Sequence, residues 1–198
     1  MVDGGFSPES NLGSGDVLDG GKGFDTLRVT SQSVALLTPT LSSIERLDVQ
    51  SIDVPTNVNL INAVGLEQIW NYRSTESSAL FFEANFLDIQ NEVTIGFFDT
   101  EGDSNYEFAD DVAFDGDLAI VSNNGGTNVD PAEARATGNG LADVTALTVT
   151  AIDGDTFLEI DLPGATNLDM LTVDGKGNAV LREDIDEFET LTMVDSTG

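Results

Sequence analysis

Asp19-Gly-Gly-Lys-Gly-Phe-Asp-Thr-Leu-Arg-Val29 carries two periodicities at once. Gly20 to Arg28 satisfies the pattern G-G-x-G-x-D-x-U-x, with U a large aliphatic residue, at every fixed position. That pattern is the calcium-binding nonapeptide of β-coils. Leu27-Arg28-Val29 opens a longer repeat, an apolar-x-apolar triplet that recurs along the rest of the chain.

Upstream, Ser14-Gly15-Asp16-Val17-Leu18 is a degenerate copy of the motif, nine residues before its counterpart. Glycine turns of this kind aim backbone carbonyls at an ion, an Asp adds a carboxylate, and the aliphatic residue two positions on packs inward. Asp16, Asp19, Gly21, Gly23 and Asp25 are therefore the first candidate calcium residues. Residues 1–30 read as a Gly/Asp-rich calcium-binding entry segment, and residues 31–198 as a repeat region.

The first apolar residues of the triplets are Leu27, Leu47, Ile69, Val93, Leu118, Leu147, Leu171 and Leu191, at intervals of 20, 22, 24, 25, 29, 24 and 20 residues. Alternation within each triplet has the period of a strand. A second apolar cluster follows most triplets: Val34 to Leu37, Val58 to Leu60, Leu80 to Phe82, Tyr106 to Phe108, Leu158 to Ile160 and Val180-Leu181. Units this short cannot bury themselves, but stacking them at about 4.8 Å creates a continuous core. The expected fold is all-β, a right-handed parallel β-solenoid of about eight coils. Leucine-rich repeats fit Leu41-x-x-Ile44-x-x-Leu47-x-Val49, but the regular Asn is missing elsewhere, and the return limbs carry β-branched and aromatic residues.

Two stretches break the period. Phe98 to Asp117 is dense in carboxylates, and Asp99 and Asp103 are candidates for a second cation site. Asp130-Pro131 through Gly138 has an N-cap Asp, a Pro at the first helical position and a terminal Gly, which predicts a short helix over 130–138. Asp153, Asp155 and Asp174 lie in later Asp-Gly turns and complete the candidate metal set.

Composition narrows the partners. With 36 acidic and 7 basic residues the formal charge is -29, which repels nucleic acid and anionic lipid and attracts divalent cations. No Cys or His is present, which excludes disulfides, Cys/His zinc sites and imidazole-dependent triads. No apolar run is long enough to span a membrane, and because no apolar run follows Met1, export without a cleavable N-terminal signal is expected. No catalytic residues are expected. Some polysaccharide lyases and epimerases do use parallel β-helices, yet the basic and phenolic residues (among them Arg28, Arg46, Arg73, Tyr72 and Tyr106) form no cluster with acids along the triplets. An outward row of Thr94, Thr148, Thr172 and Thr192 is also the pattern of a flat binding face, and Trp70 with Tyr72 could form a sugar platform.

Leu18 to Val29, Ile44-Glu-Arg-Leu47-Asp-Val49 and Val64-Gly-Leu66-Glu-Gln-Ile69-Trp70 together resemble the repeat regions of bacterial surface-layer proteins and related large surface proteins exported by the type I route. The resemblance implies calcium-dependent folding after export, an extracellular location at the cell surface, and self-assembly with other copies into a lattice. An adhesin stalk that contacts cell-surface polysaccharide is the nearest alternative. The expected C-terminal export signal is absent and the array stops before a return strand, so a fragment of a longer array is expected.

Overall fold

The computed structural model describes residues 11–75, 82–128, 130–183 and 193–197. Strand-period alternation becomes a parallel β-solenoid of about seven turns, close to the eight expected. Its long face stacks eight strands: β2 (Thr26–Ser31), β5 (Arg46–Ser51), β8 (Gln68–Tyr72), β10 (Thr94–Thr100), β12 (Asp117–Gly125), β14 (Ala146–Ala151), β16 (Met170–Gly175) and β18 (Met193–Thr197). The return face stacks seven: β3 (Leu36–Leu37), β6 (Thr56–Asn59), β9 (Ala84–Ile89), β11 (Ser104–Phe108), β13 (Ala132–Thr137), β15 (Asp155–Asp161) and β17 (Asn178–Glu183). A short third face of β1 (Val17–Asp19), β4 (Thr40–Ser42) and β7 (Ala63–Val64) closes the first coils.

Alternate residues of both large faces meet inside. Val49, Ile69, Ile95, Phe97, Ile120 and Val149 come from the long face, and Val58, Phe86, Tyr106, Leu158 and Ile160 from the return face. Phe86 and Tyr106 stack in neighbouring coils with ring centroids 5.0 Å apart. Where the chain turns from one face to the other, the interior becomes polar. Ser51 Oγ donates to the Glu83 carbonyl at 2.6 Å, Asn71 Nδ2 donates to the Gly102 carbonyl at 2.8 Å, and the Thr156 and Ser122 hydroxyls meet at 3.2 Å. These buried side chains thus find hydrogen-bond partners inside the corner, as buried polar groups require.

Outside the same corner, Arg73, Asp99 and Asn124 adopt left-handed backbone, with φ of 52, 49 and 60°. Their side chains link along the axis: Arg73 Nε lies 3.2 Å from Asp99 Oδ2, and Asn124 Nδ2 donates to Asp99 Oδ1 at 3.0 Å. A backbone state that costs a non-glycine residue about 1 kcal/mol or more is thus held in place by neighbours in the same state.

Three expectations need correction. First, Ile69 lies beside Ile95 and not Val93, a shift of two residues in the coil alignment. The cause is Trp70, whose indole lies across Gly96, where a Cβ would come within 2.0 Å of the ring. The unshifted alignment would put Thr94 there. Thr94 instead joins Ala119, Thr148 and Thr172 in a row with Gln68 and Arg46. Leu191 and Thr192 lie outside the described residues, and Val194 takes the place beside Leu171.

Second, 130–138 is not a helix. Ala132, Ala134 and Ala136 point inward, fully buried, while Glu133, Arg135 and Thr137 point out. The run has period two as well as helix-forming residues, and pairing with β11 on one side and β15 on the other decides between them. Ala136 sits beside the bulky Tyr106, and both are fully buried. A single 3-10 turn, Asn139–Asp143, follows.

Third, the third coil's return strand is β9, beginning at Ala84. Leu80 and Phe81 of the expected cluster lie outside the described residues. The acidic stretch 98–117 likewise contributes the end of β10 and all of β11, so it is part of the array.

Candidate cation-binding turns

The entry turn has the backbone its glycines imply. Gly21 and Gly23 lie at φ of 88 and 121°, and Gly20 is pressed so close to the next coil that a Cβ would sit 1.9 Å from the Ser43 carbonyl oxygen. Asp25, at the end of this turn, stacks on Glu45 of the next coil. Its N–H donates to Glu45 Oε2 at 2.6 Å, and its carbonyl accepts the N–H groups of Glu45 and Arg46, each at 3.1 Å. Asp25 Oδ2 is buried and has no hydrogen-bond partner. A buried carboxylate oxygen left bare beside a second carboxylate is unfavourable unless a cation neutralises it.

Asp16 and Asp19 stand apart from that pair. Asp16 Oδ2 accepts the Gly13 N–H at 2.8 Å and Asp19 Oδ1 accepts the Gly21 N–H at 3.0 Å, and both residues are exposed. Each side chain stabilises its own turn. Asp153 and Asp174 do the same, capping the Gly154 and Gly175 N–H groups, whereas Asp155 accepts the side-chain amide of Asn178 on the next coil at 2.8 Å. Asp99 and Asp103 do not converge, since Asp99 belongs to the outer corner ladder while Asp103 faces the return sheet. Among the described residues, no three acidic side chains gather into a metal-holding group. A calcium ion also takes backbone carbonyls and water among its six to eight oxygens, so Asp25 and Glu45 with the glycine turn fit such an ion.

Two groupings escaped the sequence reading. On the return face the pairing registers place Asp103, Glu133 and Glu159 on successive coils. Glu83 Oε2 accepts the Asp103 N–H at 2.8 Å, and Asp103 Oδ1 accepts the Glu133 N–H at 2.7 Å. Burial first, then repulsion from Glu83, Asp130 and Glu159, raises Asp103 to about 6, although the Glu133 N–H bond opposes this. Burial, with Asp103, Glu159 and Asp161 nearby, raises Glu133 to about 7 against the pull of Arg135. Only the true pairing register brings these residues side by side, so separations along the chain do not expose the row.

On the long face, Asp48 is fully buried between Arg28, at 2.9 Å, and Arg46, at 2.6 Å. Arg46 lies over the Trp70 ring and Arg28 over that of Tyr72, at 4.0 and 3.9 Å from the centroids. Trp70, only 4% exposed, is covered on the outside of the sheet and lies outside the core cluster. Tyr72 stacks on Phe98 at 5.0 Å. With Trp70 covered and Tyr72 held between Arg28 and Phe98, the pair offers no open aromatic platform to a sugar. Tyr106 is wholly buried, which pushes its phenol well above the ordinary value. No helix among the described residues is long and apolar enough to cross a membrane. Comparison with protein-family models, with characterised proteins and with solved structures found no match.

Proposed function

We propose that this chain is a structural, non-enzymatic module of a bacterial cell-surface layer, folded with the help of calcium outside the cell and packed against further copies of itself. The observation that carries the calcium part is Asp25 Oδ2, buried without a partner at the end of a glycine turn and next to Glu45. Charge supplies the logic. A chain at -29 repels itself when compact, and an ion bound only by folded turns adds its binding free energy to folding. The resemblance of Leu18 to Trp70 to surface-layer repeats supports the location and the lattice.

Thermal melts followed by circular dichroism, in millimolar calcium and in excess chelator, test this reading. For an extracellular-type site with a dissociation constant of about 0.1–1 mM, calcium at ~2 mM stabilises by about 0.6–1.8 kcal/mol per site. Asp25→Asn and Glu45→Gln should each remove most of the increment that the entry site contributes. A melting temperature indifferent to chelator would overturn the calcium mechanism.

A further inference from the structure

The two large faces pack on each other through the core, β12 on β15 and β5 on β9, so their outer surfaces point in opposite directions. Their chemistry differs. Within the long face, Arg28 and Arg46 flank the buried carboxylate Asp48; the other outward residues of the first five coils are uncharged, Thr26, Thr30, Gln50, Gln68 and Thr94 among them, except Asp117 at the far end of this stretch, three coils beyond Arg46. Arg73, together with Asp53 and Asp99, marks its rim. The return face carries Asp103, Glu107, Glu133, Glu159 and Asp161 against Arg135 and Arg182, and burial and mutual repulsion hold two of these acids in a cation-starved setting.

We propose that the long face of one copy docks on the acidic return face of a second copy. The proposal rests on the lattice reading above and specifies which surfaces make the contact. Charge complementarity selects the pairing: two return faces would oppose carboxylates to carboxylates, whereas a long face brings guanidinium groups and neutral hydroxyls. Both surfaces are ruled by the same strand spacing, so Arg28 and Arg46 on adjacent coils match Glu133 and Glu159 on adjacent coils. The arginines lie in the first and second coils and the acids in the fifth and sixth, four coils further on, which sets a stagger of about 19 Å between neighbours at ~4.8 Å per coil. Because the faces point oppositely, the contact is head-to-tail and propagates as an open row.

The test uses two variants of the whole chain in calcium, with assembly followed by sedimentation and negative-stain microscopy. Thr26→Glu/Arg28→Gln turns the Arg28, Arg46 and Asp48 patch from net positive to net negative, at two of the four variable positions of the glycine motif. Glu133→Lys/Glu159→Lys reverses the return face. Each variant alone should need at least tenfold more protein than the parent to assemble, and an equimolar mixture should give one-to-one dimers that grow no further. If the parent assembles and both variants assemble equally well, or if the mixture stays monomeric, the proposed contact is wrong while the lattice reading stands. A parent that never assembles removes the lattice reading itself. If Thr26→Glu/Arg28→Gln keeps assembly but loses retention on a polygalacturonate column, the long face serves an anionic polysaccharide and the proposal falls.

Discussion

Gly96 is a residue whose identity is set by its neighbour in the next coil. Any side chain there collides with the Trp70 indole, which Arg46 holds from the other side. Gly96→Ala should destabilise by about 1–3 kcal/mol, the usual cost of overpacking. Urea denaturation measures it directly. Because Trp70 is the sole tryptophan, its emission should shift to the red in the folded variant as the ring is pushed toward water. At this scale the sequence was partly legible. The glycine turn announced itself through residues 20–28, and its geometry at Gly21 and Gly23 follows the motif. The partnership of Asp25 with Glu45 was hidden because it depends on which residue of the next coil stacks there, and no local pattern states that.

At the scale of elements, the return face holds a row of like charges that only protonation or an opposing cation relieves. Unfolding returns Asp103 and Glu133 to ordinary values near 3.8 and 4.5, whereas folding raises them to about 6 and 7. The folded chain therefore binds more protons than the unfolded chain across this interval, and their contribution to stability falls as pH rises from about 4 through 7. Urea midpoints measured at pH 5 and pH 8 without divalent ions should show the higher value at pH 5, and Glu133→Gln should flatten the difference. Strand β13, which bears Glu133, was misread as a helix because Pro131, three alanines and a closing Gly138 satisfy helical rules locally. Burial of alternate alanines against β11 and β15 overrode that preference. Ala136→Leu, beside Tyr106, should cost about 1–3 kcal/mol by overpacking, a loss that an exposed helix would not register; a urea melt distinguishes the two.

For the whole molecule, the apolar triplets were enough to give the solenoid and nearly its coil number, because each coil must present the same inward residues to its neighbour. They misplaced the fourth coil by two residues, since alignment there follows the fit of Trp70 over Gly96 and not hydrophobicity. Net charge acts at this scale too. Potassium chloride at about 0.5 M shrinks the Debye length to ~4 Å, and with chelator present it should raise the melting temperature by screening the repulsion of the -29 chain. No rise under those conditions would mean that the acidic residues are already neutralised locally.

The parallel ladders joining each coil to the next also determine how the molecule answers a pull. Their hydrogen bonds run along the solenoid axis, so axial tension opens them one coil at a time, as a zipper opens, while a sideways load must shear many together. The coil from Leu147 to Leu171 holds 24 residues and, once peeled, extends to about 80 Å, where it had occupied ~4.8 Å. Under stretching, the protein would lengthen in steps and dissipate work at each coil, with the low-force direction along its own length.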